Sequence, residues 1–127
     1  MRFKLVSVDN FPGMGRGVVA REDIEQNTVI AEYELLILST EDTKLISNTI
    51  LATYTYTFNQ ETAQDCIALG EGSLFNHSDS PNIGYQIINK NEKSVLRISS
   101  LRKIQSGEQL FIDYGADDPS FNKKKRY

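Results

Sequence analysis

Tryptophan is absent from the 127-residue chain, which also has one cysteine, one histidine and three prolines. A lone Cys66 cannot close an intramolecular disulfide, and one cysteine with one histidine falls short of a structural zinc set, so no metal is expected. Cys66 reads as a buried structural thiol. No apolar run approaches the ~20 residues that span a bilayer. The start, Met1-Arg2-Phe3-Lys4-Leu5-Val6, lacks the apolar stretch of a signal peptide. These absences lead to the expectation of an intracellular, cytoplasmic protein with no membrane partner; action in a nucleus or a host cell is left open.

Positive charge is scarce outside the C-terminus. Lys123-Lys124-Lys125-Arg126 hold four of the 14 basic residues, so the rest of the chain sets ten against 17 acidic ones, a net of −7. An acidic body argues against direct nucleic-acid binding and suits a basic peptide partner, steered by charge. The expected organisation is one domain over residues 1–122 and a solvated basic tail over 123–127.

Short apolar or alternating runs separated by turn residues fill the chain: Phe3 to Val6, Val18 to Arg21, Val29 to Leu38, Tyr54 to Phe58, Cys66 to Leu69, Tyr85 to Ile88, Val95 to Ser99 and Gln109 to Tyr114. They predict strands, and a mostly-β domain of several small sheets. One helix is well signalled, with Ser39 or Thr40 as cap, Glu41 and Asp42 at its N-terminus, and Leu45, Ile46, Thr49 and Ile50 on one face. A further helical turn is expected within Glu61 to Asp65, and a hairpin turn at Asn89-Lys90-Asn91-Glu92.

Three stretches could carry chemistry. Gly13-Met14-Gly15-Arg16-Gly17 frees the backbone to adopt positive φ and approach a ligand, but the strand-like Val18-Val19-Ala20 that follows is not the context of a dinucleotide fingerprint. Asn76-His77-Ser78, closed by Pro81-Asn82, contains the single histidine; the same triplet is a glycosylation sequon, which a chain without a secretory signal would not use. Gly107 to Gly115 turns and then runs as a strand with Leu110, Ile112 and Tyr114 on one face. In addition, Thr53 to Phe58 alternates strictly, which in a strand puts Tyr54, Tyr56 and Phe58 on one side.

Taken in order, Gly15-Arg16-Gly17-Val18, Asn76-His77-Ser78 with Pro81-Asn82, and Gly107-Glu108 through Asp113-Tyr114-Gly115 resemble the SET-domain family of protein lysine methyltransferases, over residues 13 to 115. The run Ala68 to Ser78 looks most like the minimal SET proteins of bacteria and large viruses. The resemblance implies a β-clip of small curved sheets with a C-terminal pseudoknot and one or two short helices. It also implies methyl transfer from S-adenosylmethionine to the ε-amine of a lysine in a protein substrate.

By the same resemblance, Tyr114 would be the catalytic tyrosine. Met14, Gly15, Arg16, Tyr56, Asn76 and His77 would hold the cofactor, with Phe121 against its adenine. Tyr33, Tyr85, Ile112 and Tyr114 would line the lysine channel, although the Gly-Glu that follows the Tyr33 motif in the family is absent here. Product multiplicity stays open, because Ile112 stands where some members carry a discriminating aromatic while Tyr85 matches a position that narrows the channel. The zinc segments that flank many members are missing. Minimal viral members are homodimers, a state left open here. The substrate expected is a basic protein of the histone, histone-like or ribosomal kind. The alternative reading is a SET-like peptide-binding or dimerisation module that transfers nothing.

Overall fold

The computed structural model describes residues 4–114, so Gly115, Phe121 and the basic tail lie outside the described residues. The chain folds into two sheets. The first, in the order β1-β2-β9-β6, comprises Val6–Phe11 (β1), Gly15–Ala20 (β2), Gln109–Ile112 (β9) and Asn76–His77 (β6). The second, in the order β4-β5-β3-β8-β7, comprises Thr55–Asn59, Gln64–Ala68, Val29–Ile37, Lys93–Ser100 and Ile83–Lys90 respectively. Among the described residues, one α-helix, α1 (Thr40–Ile46), and two 3-10 turns, Ile50–Tyr54 and Gly70–Ser73, complete the mostly-β fold. Among the described residues no helix is long and apolar enough to cross a membrane.

Alternation explains the larger sheet. In β8, Leu96, Ile98 and Ser100 are buried, while Arg97 on the opposite face pairs with Glu32 of β3 at 2.8 Å. Each fully buried Leu or Ile contributes about 1.5–3 kcal/mol. The expected hairpin joins β7 to β8, with strands reaching Lys90 and Lys93 and a two-residue turn at Asn91 (φ 51°) and Glu92 (φ 64°). Positive φ at both residues matches the right-handed twist of the flanking strands.

Of the strand expected over Phe3 to Val6, Phe3 lies outside the described residues and Val6 begins a strand that runs on to Phe11, because it pairs with β2 out to Phe11 opposite Gly15 and so draws the glycine segment into the sheet. Glu61 to Asp65 forms no helix. Asn59 Oδ1 accepts the amides of Glu61 (3.0 Å) and Thr62 (3.3 Å), Ala63 takes φ 54°, and β5 starts at Gln64; this is the side-chain competition that keeps asparagine out of helices. Helix α1 is capped as expected, with Ser39 Oγ accepting the Asp42 amide at 3.0 Å. Its apolar face, however, does not enter the core: no α1 residue is buried, and Leu45 is 76% exposed. The helix is tied to the β4–β5 hairpin through threonines instead, with Thr40 Oγ1 donating to Thr62 O (2.6 Å) and Thr43 Oγ1 accepting the Asp65 amide (3.1 Å).

Strand β9 is gripped from both sides. It runs antiparallel to β2 and parallel to β6, with Asn76 opposite Phe111 and His77 opposite Ile112. The chain after β6 then arches over it: Ser78 N–H donates to Ile112 O (3.0 Å) and Asn82 N–H to Phe111 O (3.3 Å). Asn82, almost fully buried, extends the sheet with its side chain, donating Nδ2 to Gln109 O (2.9 Å) and accepting the Phe111 amide at Oδ1 (2.8 Å). This crossing is the local form of the expected pseudoknot. It brings two segments more than 30 residues apart side by side.

Candidate active site

A cavity of about 570 Å³ opens where the glycine loop meets the crossing. Asn10, Met14, Gly15 and Arg16 form one wall, Thr53 and Tyr54 another, and Ser73 to Asn76 with Tyr114 the rest. Gly13 (φ 77°) and Gly15 (φ 74°) leave an open face, since a Cβ built on either meets nothing within 4 Å. Gly17 is the opposite case: a Cβ there would lie 2.5 Å from Gln109 Oε1 and 2.8 Å from Asn76 Nδ2. Asn76 occupies that space and donates Nδ2 to Arg16 O (3.1 Å) and Gln109 Oε1 (2.8 Å), pinning the loop to the crossing.

Tyr114 is held at both ends. Its hydroxyl donates to Phe75 O at 2.6 Å and its amide donates to His77 Nδ1 at 2.9 Å, with the two rings 5.1 Å apart. Burial pushes its phenol above the ordinary tyrosine range, so near neutral pH it keeps its proton.

Of the cofactor residues expected from sequence, Met14, Gly15, Arg16 and Asn76 line the cavity together with Tyr114. His77 is not in the wall; it braces Tyr114. Tyr56 is fully buried, donates its hydroxyl to Gly72 O at 2.7 Å and packs edge-on against Tyr85 at 5.1 Å. Tyr54 lines the wall in its place. The three aromatics do not share one strand face, because the 3-10 turn ends at Tyr54 and the strand begins at Thr55, whose Oγ1 closes the turn on Ala52 O at 2.8 Å. Ile112 is fully buried in β9.

Tyr33 lies edge-on to Phe75 at 6.2 Å, and its buried hydroxyl has no hydrogen-bond partner among the described residues. Burial, and then the Glu71 carboxylate, raise its pKa, so it is a neutral phenol. Tyr33 is not among the residues that line the cavity.

Asn10, Thr53, Tyr54 and Ser73 to Phe75 are wall residues that the sequence reading did not assign. Thr53 and Tyr54 lay in the alternating run and Ser73 to Phe75 in the run from Ala68 to Ser78, whereas Asn10 carried no signal. His77, Asp79 and Asp113 each offer a ligand atom within 4.8 Å of the others. His77 Nδ1 accepts the Tyr114 amide and Nε2 lies 2.9 Å from Asp79 Oδ1, while Asp113 Oδ1 stands 3.8 Å from Nδ1.

The SET-domain family profile matches residues 15–115. A Schizosaccharomyces pombe histone-lysine N-methyltransferase specific for H3 lysine-37 is 36% identical over 102 residues, covering 80% of this chain and 67% of the relative. The N-lysine methyltransferase KMT5A of Xenopus tropicalis is 32% identical over 120 residues, 87% of this chain but 36% of the relative. The chain thus spans about two thirds of one relative and about one third of the other. Among solved structures, the Chaetomium thermophilum Polycomb Repressive Complex 2 bound to S-adenosylmethionine contains the same fold, with a TM-score of 0.73 at 23% identity over 94% of this chain and 16% of that one. The chain belongs to the SET-domain family of protein-lysine methyltransferases.

Proposed function

We propose that the chain transfers methyl groups from S-adenosylmethionine to the ε-amine of a lysine in a basic protein substrate, of the histone, histone-like or ribosomal kind. The observation that carries this reading is the convergence on one cavity of an open glycine loop, the Asn76 amide and the Tyr114 phenol. The volume is that of a small-molecule site. S-adenosylmethionine supplies an electrophilic methyl on a cationic sulfur. Met14, Gly15, Arg16 and Asn76 are the residues that would hold it, the loop backbone at Gly15 offering the close approach that a side chain would block.

What remains for the protein is to deliver a neutral amine in line and to exclude water. The Tyr114 hydroxyl donates its hydrogen bond to Phe75 O and resists ionisation, so it is not the base. Its oxygen instead accepts an amine N–H and thereby aims the nitrogen lone pair. Tyr54 and Phe75 are the aromatic residues of the wall besides Tyr114, and withdrawal from water beside them would lower the pKa of an incoming lysine by disfavouring its charged form. The acidic body favours approach of a basic segment.

Calorimetric titration with S-adenosylmethionine and its demethylated product tests the cofactor site: saturable binding is expected, abolished in Asn76→Ala. Tyr114→Phe is expected to slow methyl transfer by about 10²-fold while cofactor binding persists. Full activity in that variant would remove the phenol from the mechanism.

A further inference from the structure

The single histidine links Tyr114 to a carboxylate that has no part in the cavity wall. His77 Nδ1 accepts the Tyr114 amide at 2.9 Å, and Nε2 lies 2.9 Å from Asp79 Oδ1. A ring nitrogen that accepts an amide N–H carries no proton, so the neutral ring bears its proton on Nε2 and donates it to Asp79. The other tautomer would set Nδ1–H against the Tyr114 N–H, two donors face to face.

A competitor for that proton is close by. Asp113 Oδ1 stands 3.8 Å from Nδ1, on the side where a proton would push the Tyr114 amide away. Asp79 therefore draws the proton to the nitrogen that leaves Tyr114 held, and Asp113 draws it to the nitrogen that releases it. Asp79 is kept in place by its own loop: the Ser80 amide donates to Ser78 Oγ (3.0 Å), and the Ser78 amide is fixed on Ile112 O (3.0 Å).

We propose that Asp79 is a positioning residue for Tyr114, acting through the tautomer of His77. Its kinetic consequence rests on the methyl-transfer reading; its hold on the histidine does not. The Asp79 side chain is 94% exposed, so water competes for the same N–H and the effect is graded rather than absolute.

The test uses the full chain labelled with ¹⁵N, in which one histidine gives one ring spectrum. At a pH where the ring is neutral, the wild type is expected to show a protonated Nε2 and a bare Nδ1. Asp79→Ala is expected to raise the Nδ1–H population and to lower kcat about fivefold, the loss of one ordinary hydrogen bond, with the cofactor Kd little changed. Asp79→Asn, which keeps an oxygen acceptor, should restore both readouts. A wild-type ring protonated on Nδ1 overturns the proposal, as does Asp79→Ala with an unchanged tautomer, whether or not kcat falls. A shifted tautomer with unchanged kcat overturns the positioning role. Absence of methyl transfer in the wild type would sink the proposed function instead, while the ring spectrum still decides what Asp79 does to His77.

Discussion

The crossing at residues 75–82 and the segment at residues 40–54 spend their hydrogen bonds in opposite ways. In the crossing the bonds reach across the chain: Asn76 to Arg16, Asn82 to Gln109 and His77 to Tyr114. In the segment they mostly close within a turn, as Ser47 Oγ to Lys44 O, Thr49 Oγ1 to Ile46 O and Thr53 Oγ1 to Ile50 O. The same segment leaves Leu45, Ile50 and Leu51 exposed. Both regions contribute to one cavity, yet the crossing is tied to three distant segments, whereas the longer ties of the other, Thr40 to Thr62 and Thr43 to Asp65, reach only the β4–β5 hairpin. Groups that must sit within a fraction of an ångström of a reacting atom belong on such a frame, and Tyr114 does. The locally bonded segment supplies only Thr53 and Tyr54 to the wall, and its free energy of local opening should be lower.

The comparison is broken most directly at Asn82. Replacing it by alanine strands the Gln109 carbonyl and the Phe111 amide beside a side chain that is 2% exposed. Two buried groups left unpaired cost about 2–4 kcal/mol together, readable as a lower urea midpoint with unchanged slope. A loss under about 1 kcal/mol would mean that backbone pairing alone holds β9, and the contrast between the two regions would weaken.

Why Asn82 escapes a reading of periodicity is physical: its side chain imitates a strand residue, and nothing in a polar turn closed by Pro81 announces that. The two-residue β6 is equally illegible, because a parallel pairing of Asn76 and His77 with β9 has no alternation to display. Longer elements were legible. β9 follows its apolar alternation, and Ser39 caps α1 as its position before Glu41 and Asp42 suggests. The aromatic run misled at one residue, since Thr55 closes a 3-10 turn and so puts Tyr54 in the cavity wall and Tyr56 in the core. The glycine loop, Asn76 and Tyr114 were singled out through the order of three motifs, whose spatial meeting at one cavity depends on the crossing. Phe121 lies outside the described residues.

Tyr56 joins the two regions, standing just after the local segment and donating to Gly72 O just before the crossing. Burial, and then the neighbouring Tyr85, hold its pKa well above the ordinary value. A folded-state value raised above the unfolded one, near 10, gives stability that is complete below about pH 10 and lost as pH rises further. The wild type should lose up to about 1.4 kcal/mol per pH unit there through this one group. Tyr56→Phe should be about 1 kcal/mol less stable at neutral pH but decline less steeply in alkali, so that the two curves converge. Parallel curves in alkaline urea titrations would show that the Tyr56 hydroxyl does not stay buried and protonated.

The smallest effect is expected at Leu45. Serine there removes an exposed side chain from a helix that buries nothing, so stability should change by no more than about 0.5 kcal/mol. A cost above about 1 kcal/mol would mean that Leu45 is covered in solution. Light scattering on both proteins then separates the causes: a dimer that dissociates in the variant would place a second copy on this face, whereas two monomers of unequal stability would place another part of the same chain there. In either case the segment would be held by more than its local bonds and its two threonine ties to the β4–β5 hairpin, and the freedom inferred for it would belong only to the uncovered state.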